Sequence, residues 1–379
     1  MGLPLWYGEE TNALCDAWTR IYAVEQAITE RAITEQRRTM TTEPLRSRLA
    51  DWYSRIIVVF AAAFAAQQYT IQMPPYLDLR KYALGQERMP FQARELMRYP
   101  LLWAGNSKFL QRHTVGRAGM NSPERLVIML TSFVAILLSV WAAQKIDRMY
   151  WPKARVPMLP FAILIVVFFF DFYLGDPYSF PYDPPAMMFL GWGLYLVLTD
   201  RFWWLLPLFA LATWNRETTV FLILARAAVA LTREGRWRLR AVKLRDVLEI
   251  AVLCVVWVMI VLALHHKYAA NATEAGSRIA TNLHDLARPV LWPGLLCGSA
   301  FLMPWIFWRR DLISAPRLRA CVLVLPLWVL MLFCVGQLLE VRIYGDIAVF
   351  IAVCAAAILR AELSGNANGK VREENAAAA

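Results

Sequence analysis

The sequence predicts an all-α, polytopic transmembrane helix bundle, and three observations carry that prediction. Of 379 residues, 59% are hydrophobic and only 18% are charged. A water-soluble domain of this size carries more charge and breaks its apolar runs more often. The apolar runs are continuous and approach the ~20 residues a helix needs to cross a hydrocarbon core. They lack the short alternating strands of a membrane barrel. Lys and Arg gather in short segments between the runs, where the positive-inside bias puts them.

Residues 1–54 have mixed charge, with Trp6, Leu14, Trp18, Ile21 and Val24 close to one helical stripe, and read as a cytosolic amphipathic segment. They show no apolar h-region, so no cleavable signal peptide is expected. Arg37, Arg38, Arg46 and Arg48 precede the first apolar run, residues 56–73, and place the N-terminus in the cytoplasm. The polar stretch 74–124 is too long for a tight connection. Within it, segments 91–99 and 101–103 predict two helices lying along the interface. A second span over 126–143 returns to a basic loop with Lys145, Arg148, Lys153 and Arg155.

A third span, 159–174, leads to the loop 175–185, and a fourth returns to Asp200 and Arg201. The apolar stretch 203–231 is too long for one crossing and is interrupted by Asn215, Arg216, Glu217 and Thr218. It reads as two short helices with that tetrapeptide at the turn. The densely basic 233–245 is cytosolic. Spans over 247–264, 290–308 and 322–339 follow, and a last one returns to Arg360. This gives about ten crossings over residues 55–360, both ends cytoplasmic, with a polar, Ala-ending tail, 361–379, expected to be disordered. The first external loop is itself basic, but the charge rule is counted over short loops, and the other loops agree with the orientation.

The net charge of +11 is accounted for by these connecting segments. No basic-aromatic groove pattern indicates nucleic acid. Cys254, Cys297, Cys321, Cys334 and Cys354 fall in or beside apolar runs without metal-ligand spacing and read as small buried hydrophobes. His265, His266, His284 and Asp285 likewise show no ligand spacing. No internal repeat of the kind found in transporters is visible.

Once the topology is drawn, Asp78, Arg94, Asp176, Asp183, Asn215, Arg216, Glu217, Glu340, Arg342 and Asp346 all fall at the external membrane boundary. Ionisable groups at span ends are often simple caps or snorkelling side chains. Asn215–Glu217 and Glu340–Arg342 differ, because they sit between apolar segments with no real loop to solvate them, and they must find partners on other helices. Carboxylates and arginines at an outer membrane surface suit transfer of a sugar from a polyprenyl phosphate. A carboxylate takes the proton of the attacking hydroxyl. Cationic groups stabilise the departing lipid phosphate, either Arg with its planar fork or a divalent metal held by carboxylates.

Asp78, the run Pro90-Phe91-Gln92-Ala93-Arg94-Glu95-Leu96, then Tyr182-Asp183-Pro184-Pro185, Asn215-Arg216-Glu217-Thr218 and Glu340-Val341-Arg342 together are similar to a group of bacterial GT-C-like proteins. Cytosolic N-terminus, one span, long external loop with interfacial helices, then many spans: this order resembles the GT-C superfamily of integral membrane glycosyltransferases. The resemblance covers residues 55–360 and rests on short motifs. It implies an inner-membrane enzyme that moves a sugar from a polyprenyl-phosphate-linked donor to an envelope acceptor. It implies Asp78 as catalytic base, with Asp183 the second candidate. Arg216 and Arg342 would contact donor phosphate, Glu217 and Glu340 would orient those arginines or bind acceptor, and Arg94 and Asn215 would complete the binding site. Two departures stand out. Ala93 replaces the usual aromatic, and Asp78 is followed by Leu79-Arg80 rather than by a second acid, which leaves metal dependence open. A transporter or flippase of a lipid-linked or anionic substrate, and an assembly subunit without chemistry, are the competing readings.

Overall fold

The helices form where the apolar runs lie, and no strand occurs among the described residues. The computed structural model describes residues 52–114, 122–152, 158–174, 178–232, 242–274 and 276–377. Most of the amphipathic segment expected over 1–54 therefore lies outside the described residues. The chain divides into two units, Met1–Ile57 and Val58–Ala379. The packing described below belongs to the second.

Among the described residues, six helical stretches are long and apolar enough to cross a bilayer: Trp52–Gln72 (α1), Pro123–Tyr150 (α5), Leu244–Lys267 (α10, followed by the short α11, Ile279–Leu286), Pro289–Trp308, Pro316–Val335 and Val341–Ser364. Between α1 and α5 stand α2 (Leu79–Leu84), α3 (Arg98–Asn106) and α4 (Lys108–Thr114). Leu159–Leu174 (α6) is apolar but shorter. The remaining predicted crossings are helical and no longer: α7 (Asp183–Leu198), α8 (Phe202–Asn215) and α9 (Val220–Leu231) have 16, 14 and 12 residues. At ~1.5 Å per residue none of these alone spans ~30 Å of hydrocarbon.

The predicted span 290–308 is broken, and the predicted 322–339 holds one continuous helix over 325–335. Pro289–Trp308 contains α12 (Trp292–Cys297) and α13 (Leu302–Trp308), separated where Ser299, Ala300 and Phe301 all take left-handed backbone angles. Pro316–Val335 contains α14 (Pro316–Val322) and α15 (Leu325–Val335). The last helix, α16, runs from Ala348 to Ala377, so helical backbone continues into the tail expected to be irregular from residue 361.

Burial follows composition. In α16, Ala348 to Ile358 are buried on every side, and five of its residues there, Ala348, Ala352, Ala355, Ala356 and Ala357, are small enough to let neighbouring helices approach. A Cβ on Gly193 of α7 would sit 2.3 Å from a Leu222 methyl of α9, so only glycine permits that crossing. By contrast α10 turns Val247, Val255, Met259 and Leu262 outward. That exposed apolar stripe suits hydrocarbon rather than water.

The loop after α1 is docked rather than loose. Asn271 donates through Nδ2 to Glu87 O at 2.6 Å, and Met89 N donates to Ala272 O at 2.7 Å. α3 and α4 expose Tyr99, Trp103 and Phe109 beside Lys108 and Arg112, the pairing expected of interfacial helices, although α2 and a 3-10 turn at Phe91–Ala93 also occupy the loop. The clasp at its centre is Glu95. This buried carboxylate accepts from Lys267, Tyr268 at 2.7 Å, Arg98 at 2.9 Å and Trp214 at 3.3 Å. Burial pushes its pKa up, but those hydrogen bonds outweigh burial and hold it at about 2.

A carboxyl lowered from 4.5 to about 2 stabilises the fold fully above 4.5, and the contribution fades as pH falls toward 2. Thermal unfolding of the detergent-purified chain followed from pH 6 to pH 2 should show a decline that Glu95→Gln flattens, the variant being the less stable one at neutral pH.

Candidate functional site

Every charged residue of the site stands where a helix starts or stops. Asp183 opens α7, followed by Pro184 and Pro185, which fit a helix start because their missing N–H groups would be unpaired there anyway. After Asn215 the chain leaves α8 with Arg216 extended, then re-enters helix through the 3-10 turn Glu217–Thr219. The 3-10 stretch Val341–Ile347 carries Arg342 and Asp346 into α16. Arg94 follows the turn Phe91–Ala93 in the docked loop.

These ends converge. Arg216 Nη1 bridges two carboxylates, Asp183 Oδ1 and Asp346 Oδ1, each at 2.8 Å. Asp346 also accepts from Thr218 Oγ1 at 2.8 Å. Arg342 Nη1 reaches both oxygens of Asp183 at 3.2 Å, and its Nη2 pairs with Glu340 Oε1. Arg94 grips Glu217 through Nη2 at 2.9 Å and Nε at 3.4 Å, and donates to Tyr182 OH at 3.0 Å. Asn215 Nδ2 donates to Tyr182 O at 2.9 Å. The Arg342 guanidinium lies 3.5 Å from the Phe180 ring centre, and that of Arg94 lies 4.7 Å from the Tyr182 ring centre. Arg216, Arg342, Asp183 and Asp346 are all buried.

The cluster has a front and a back. A cavity of about 900 Å³ is lined by Arg94, Arg216, Glu217, Glu340 and Arg342, whereas Asp183 and Asp346 do not reach its wall. The aspartates neutralise the arginines from behind, leaving three guanidiniums and two carboxylates in front. Arg216 Nε and Nη2 are buried with no hydrogen-bond partner among the described residues. Arg216 borders the cavity, and unused guanidinium donors beside a cavity suit a two-oxygen acceptor such as a phosphate or carboxylate. Val220, Trp257 and Val261, with Met331, Leu332 and Val335 of α15, give the cavity apolar lining, and Thr218, His265, Glu274, Ser277, Arg278 and Gln337 add polar lining. Trp257 is fixed by its Nε1 hydrogen bond to Glu217 O at 2.8 Å.

Of the residues expected from sequence, Arg94, Asp183, Asn215, Arg216, Glu217, Glu340 and Arg342 are brought together. Asp78 is not. It is exposed and caps α2, accepting from Arg80 N and Lys81 N at 3.0 Å, and it does not line the cavity. Asp183 is in the cluster, yet both its oxygens are engaged by arginines at the back. Asp346, expected at the external boundary, and Tyr182 and Thr218, which stand in the motifs, join the cluster although the sequence assigns them no role. An aspartate flanked by Gly345 and an apolar span was the signal for Asp346. Among the described residues no group of three or more His, Cys, Asp or Glu side chains could hold a metal ion. Comparison with family models, with curated proteins and with solved structures found no match.

Removing one partner of a buried ion pair leaves an uncompensated charge and costs about 3–5 kcal/mol, whereas a half-exposed pair is worth about 0–1. Asp183→Asn should therefore lower the thermal midpoint strongly. Glu217→Gln, whose side chain is 39% exposed, should lower it little. Fluorescence-monitored melting of both variants in one detergent provides the comparison.

Proposed function

We propose that the chain is a glycosyltransferase of the bacterial cytoplasmic membrane, with about ten crossings and both termini inside. It moves a sugar from a polyprenyl-phosphate donor to a cell-envelope acceptor on the external face. The observation that supports this reading best is the two-faced cavity. Its polar lining includes Arg216, with two unused donors, beside Arg94 and Arg342, and α10 and α15 contribute apolar side chains. A lipid phosphate has that same division, with an anionic head and a hydrocarbon tail that needs an exit between helices.

In the reaction, the acceptor hydroxyl attacks the anomeric carbon, the carbon–oxygen bond to phosphate breaks, and the bonding electrons leave with the lipid phosphate. Arg216 and Arg342 would meet that growing charge in a water-poor site, where fixed donors act most strongly. The hydroxyl proton needs a carboxylate within reach. Asp78 faces solvent and Asp183 lies behind the arginines, so Glu340 or Glu217 on the cavity wall is the better placed base. Asn215 and Arg94 hold Tyr182 and Glu217 in position. The exposed aromatics of α3 and α4 would seat the loop in the headgroup layer.

The test is a transfer assay with the full chain in nanodiscs, a panel of radiolabelled polyprenyl-phosphate sugars and membrane extract as acceptor. Wild type should release label from one donor. Arg216→Lys, which keeps charge but loses the planar edge, should cut turnover at least ~10-fold, and loss of the base about 10²–10⁴-fold in Glu340→Gln or Glu217→Gln. Binding of the lipid phosphate without release from any donor would sink the transferase reading in favour of a lipid-linked-substrate transporter.

A further inference from the structure

One ion pair of the cluster ties no distant parts together. Glu340 and Arg342 stand two positions apart, and Arg342 Nη2 is the one hydrogen-bond partner of the Glu340 carboxylate among the described residues. The other carboxylates bridge separate segments: Asp183 to Arg216 and Arg342, Asp346 to Arg216, and Glu217 to Arg94. Those pairs position helices. A pair between near neighbours, with the Glu340 side chain 30% exposed, adds little to the fold.

Arg342 stays in place without Glu340. Its Nη1 reaches both oxygens of Asp183 at 3.2 Å, and its guanidinium lies 3.5 Å from the Phe180 ring centre. Glu340 is therefore an occupant of the Nη2 side rather than its anchor. Glu217 differs, because Arg94 grips it through both Nη2 and Nε. Charge supplies the reason for an exchange. Three guanidiniums, Arg94, Arg216 and Arg342, already face four carboxylates, Asp183, Glu217, Glu340 and Asp346. A phosphate that simply joined this set would add negative charge to a buried group that already holds more anions than cations. Replacing one carboxylate avoids that cost, and Glu340 is held by the fewest bonds while bordering the same cavity as Arg342.

Given the lipid-phosphate reading of the cavity, on which this rests, we propose that Glu340 is a place-holder: the ligand's phosphate takes its position on Arg342, and the carboxylate so released is the base. Burial pushes the Glu340 pKa up, but Arg342, Arg94 and Arg216 outweigh burial and hold it below the ordinary carboxylate value. A carboxylate clamped in this way is a poor proton acceptor. Once the phosphate draws Arg342 to itself, Glu340 regains its basicity beside the cavity. The acceptor O–H bond then breaks and its proton passes to Glu340. The oxygen's electron pair forms the bond to the anomeric carbon, and the carbon–oxygen bond to phosphate breaks with its electrons on the phosphate that Arg342 holds. An empty site thus carries no active base.

The test measures affinity before chemistry. Saturable binding of radiolabelled farnesyl phosphate to the full chain in nanodiscs, corrected with empty discs, is compared for wild type, Glu340→Gln and Glu274→Gln. Glu274 lines the same cavity but pairs with Arg88 at 2.5 Å. Removing the place-holder should tighten binding at least ~5-fold, whereas Glu274→Gln should change it less than ~2-fold. In the transfer assay Glu340→Gln should lose turnover, so affinity and rate move in opposite directions. Unchanged or weaker binding by Glu340→Gln overturns the exchange and leaves the lipid-phosphate reading standing, since Glu340 then only positions Arg342. Equal tightening in both variants also overturns it, because repulsion across the cavity accounts for that. Tighter binding by Glu340→Gln alone, with no label released from any donor by wild type, supports the exchange and removes the base role together with the transferase reading. No saturable binding by wild type or by Glu340→Gln overturns exchange and lipid-phosphate reading together. Should Glu340→Gln fail to fold, Glu340→Ala is judged by the same outcomes.

Discussion

Three guanidiniums are buried in an apolar helical bundle, and carboxylates must come to them. Arg216 is the centre of this constraint. It is held at equal distance by Asp183 of α7 and by Asp346 just ahead of α16, residues 33 and 130 positions away in the chain. Neither end can drift without exposing a bare charge to hydrocarbon-like surroundings, at a cost of several kcal/mol. The pairings therefore fix where α7, the α8–α9 break and the entry to α16 meet, more firmly than apolar packing would.

The same constraint explains why the helices break where they do. A residue in mid-helix points its side chain to one face, whereas a residue at a helix end can turn toward a shared centre. Asp183, Arg216, Arg342 and Asp346 are all at such ends. A fourth buried arginine, within α9, is also matched by carboxylates. Arg226 reaches Asp246 at 2.7 Å and Glu249 through Nε at 2.9 Å on α10, and it lies 3.6 Å from Asp200, which also pairs with Arg317 of α14 at 2.7 Å. This cluster joins four parts of the bundle. The Arg216 cluster is different because Arg216 also lines the 900 Å³ cavity, and that position carries the functional reading.

Much of this was legible from the residues. Continuous apolar runs gave helices in the right places, because backbone polar groups in lipid have no other way to be satisfied along one segment. The interruption at Asn215–Thr218 predicted two short helices with a turn, and α8 and α9 are those helices. Asn215, Arg216, Glu217, Glu340 and Arg342 drew notice because no loop could solvate them; four find partners on distant segments, and Glu340 pairs with Arg342 beside it. The break at Ser299–Phe301 left no mark, since Gly298, Ser299 and Ala300 sit comfortably in an apolar run and neither proline nor charge announces a stop.

What the sequence determined by itself is local: which stretches are helical, which are apolar, and which charges have nowhere to be solvated. The tertiary structure decided the rest. It put Asp183 behind the arginines instead of in front, and it left Asp78 as a helix cap in solvent. It also placed Arg216 at a cavity to which α10 and α15 contribute apolar side chains. The physical reason is range. Hydrophobic pattern and helix capping act over a few residues and are written in neighbouring letters. The sign of the charge facing a cavity depends on partners more than a hundred residues apart, and only packing brings those together.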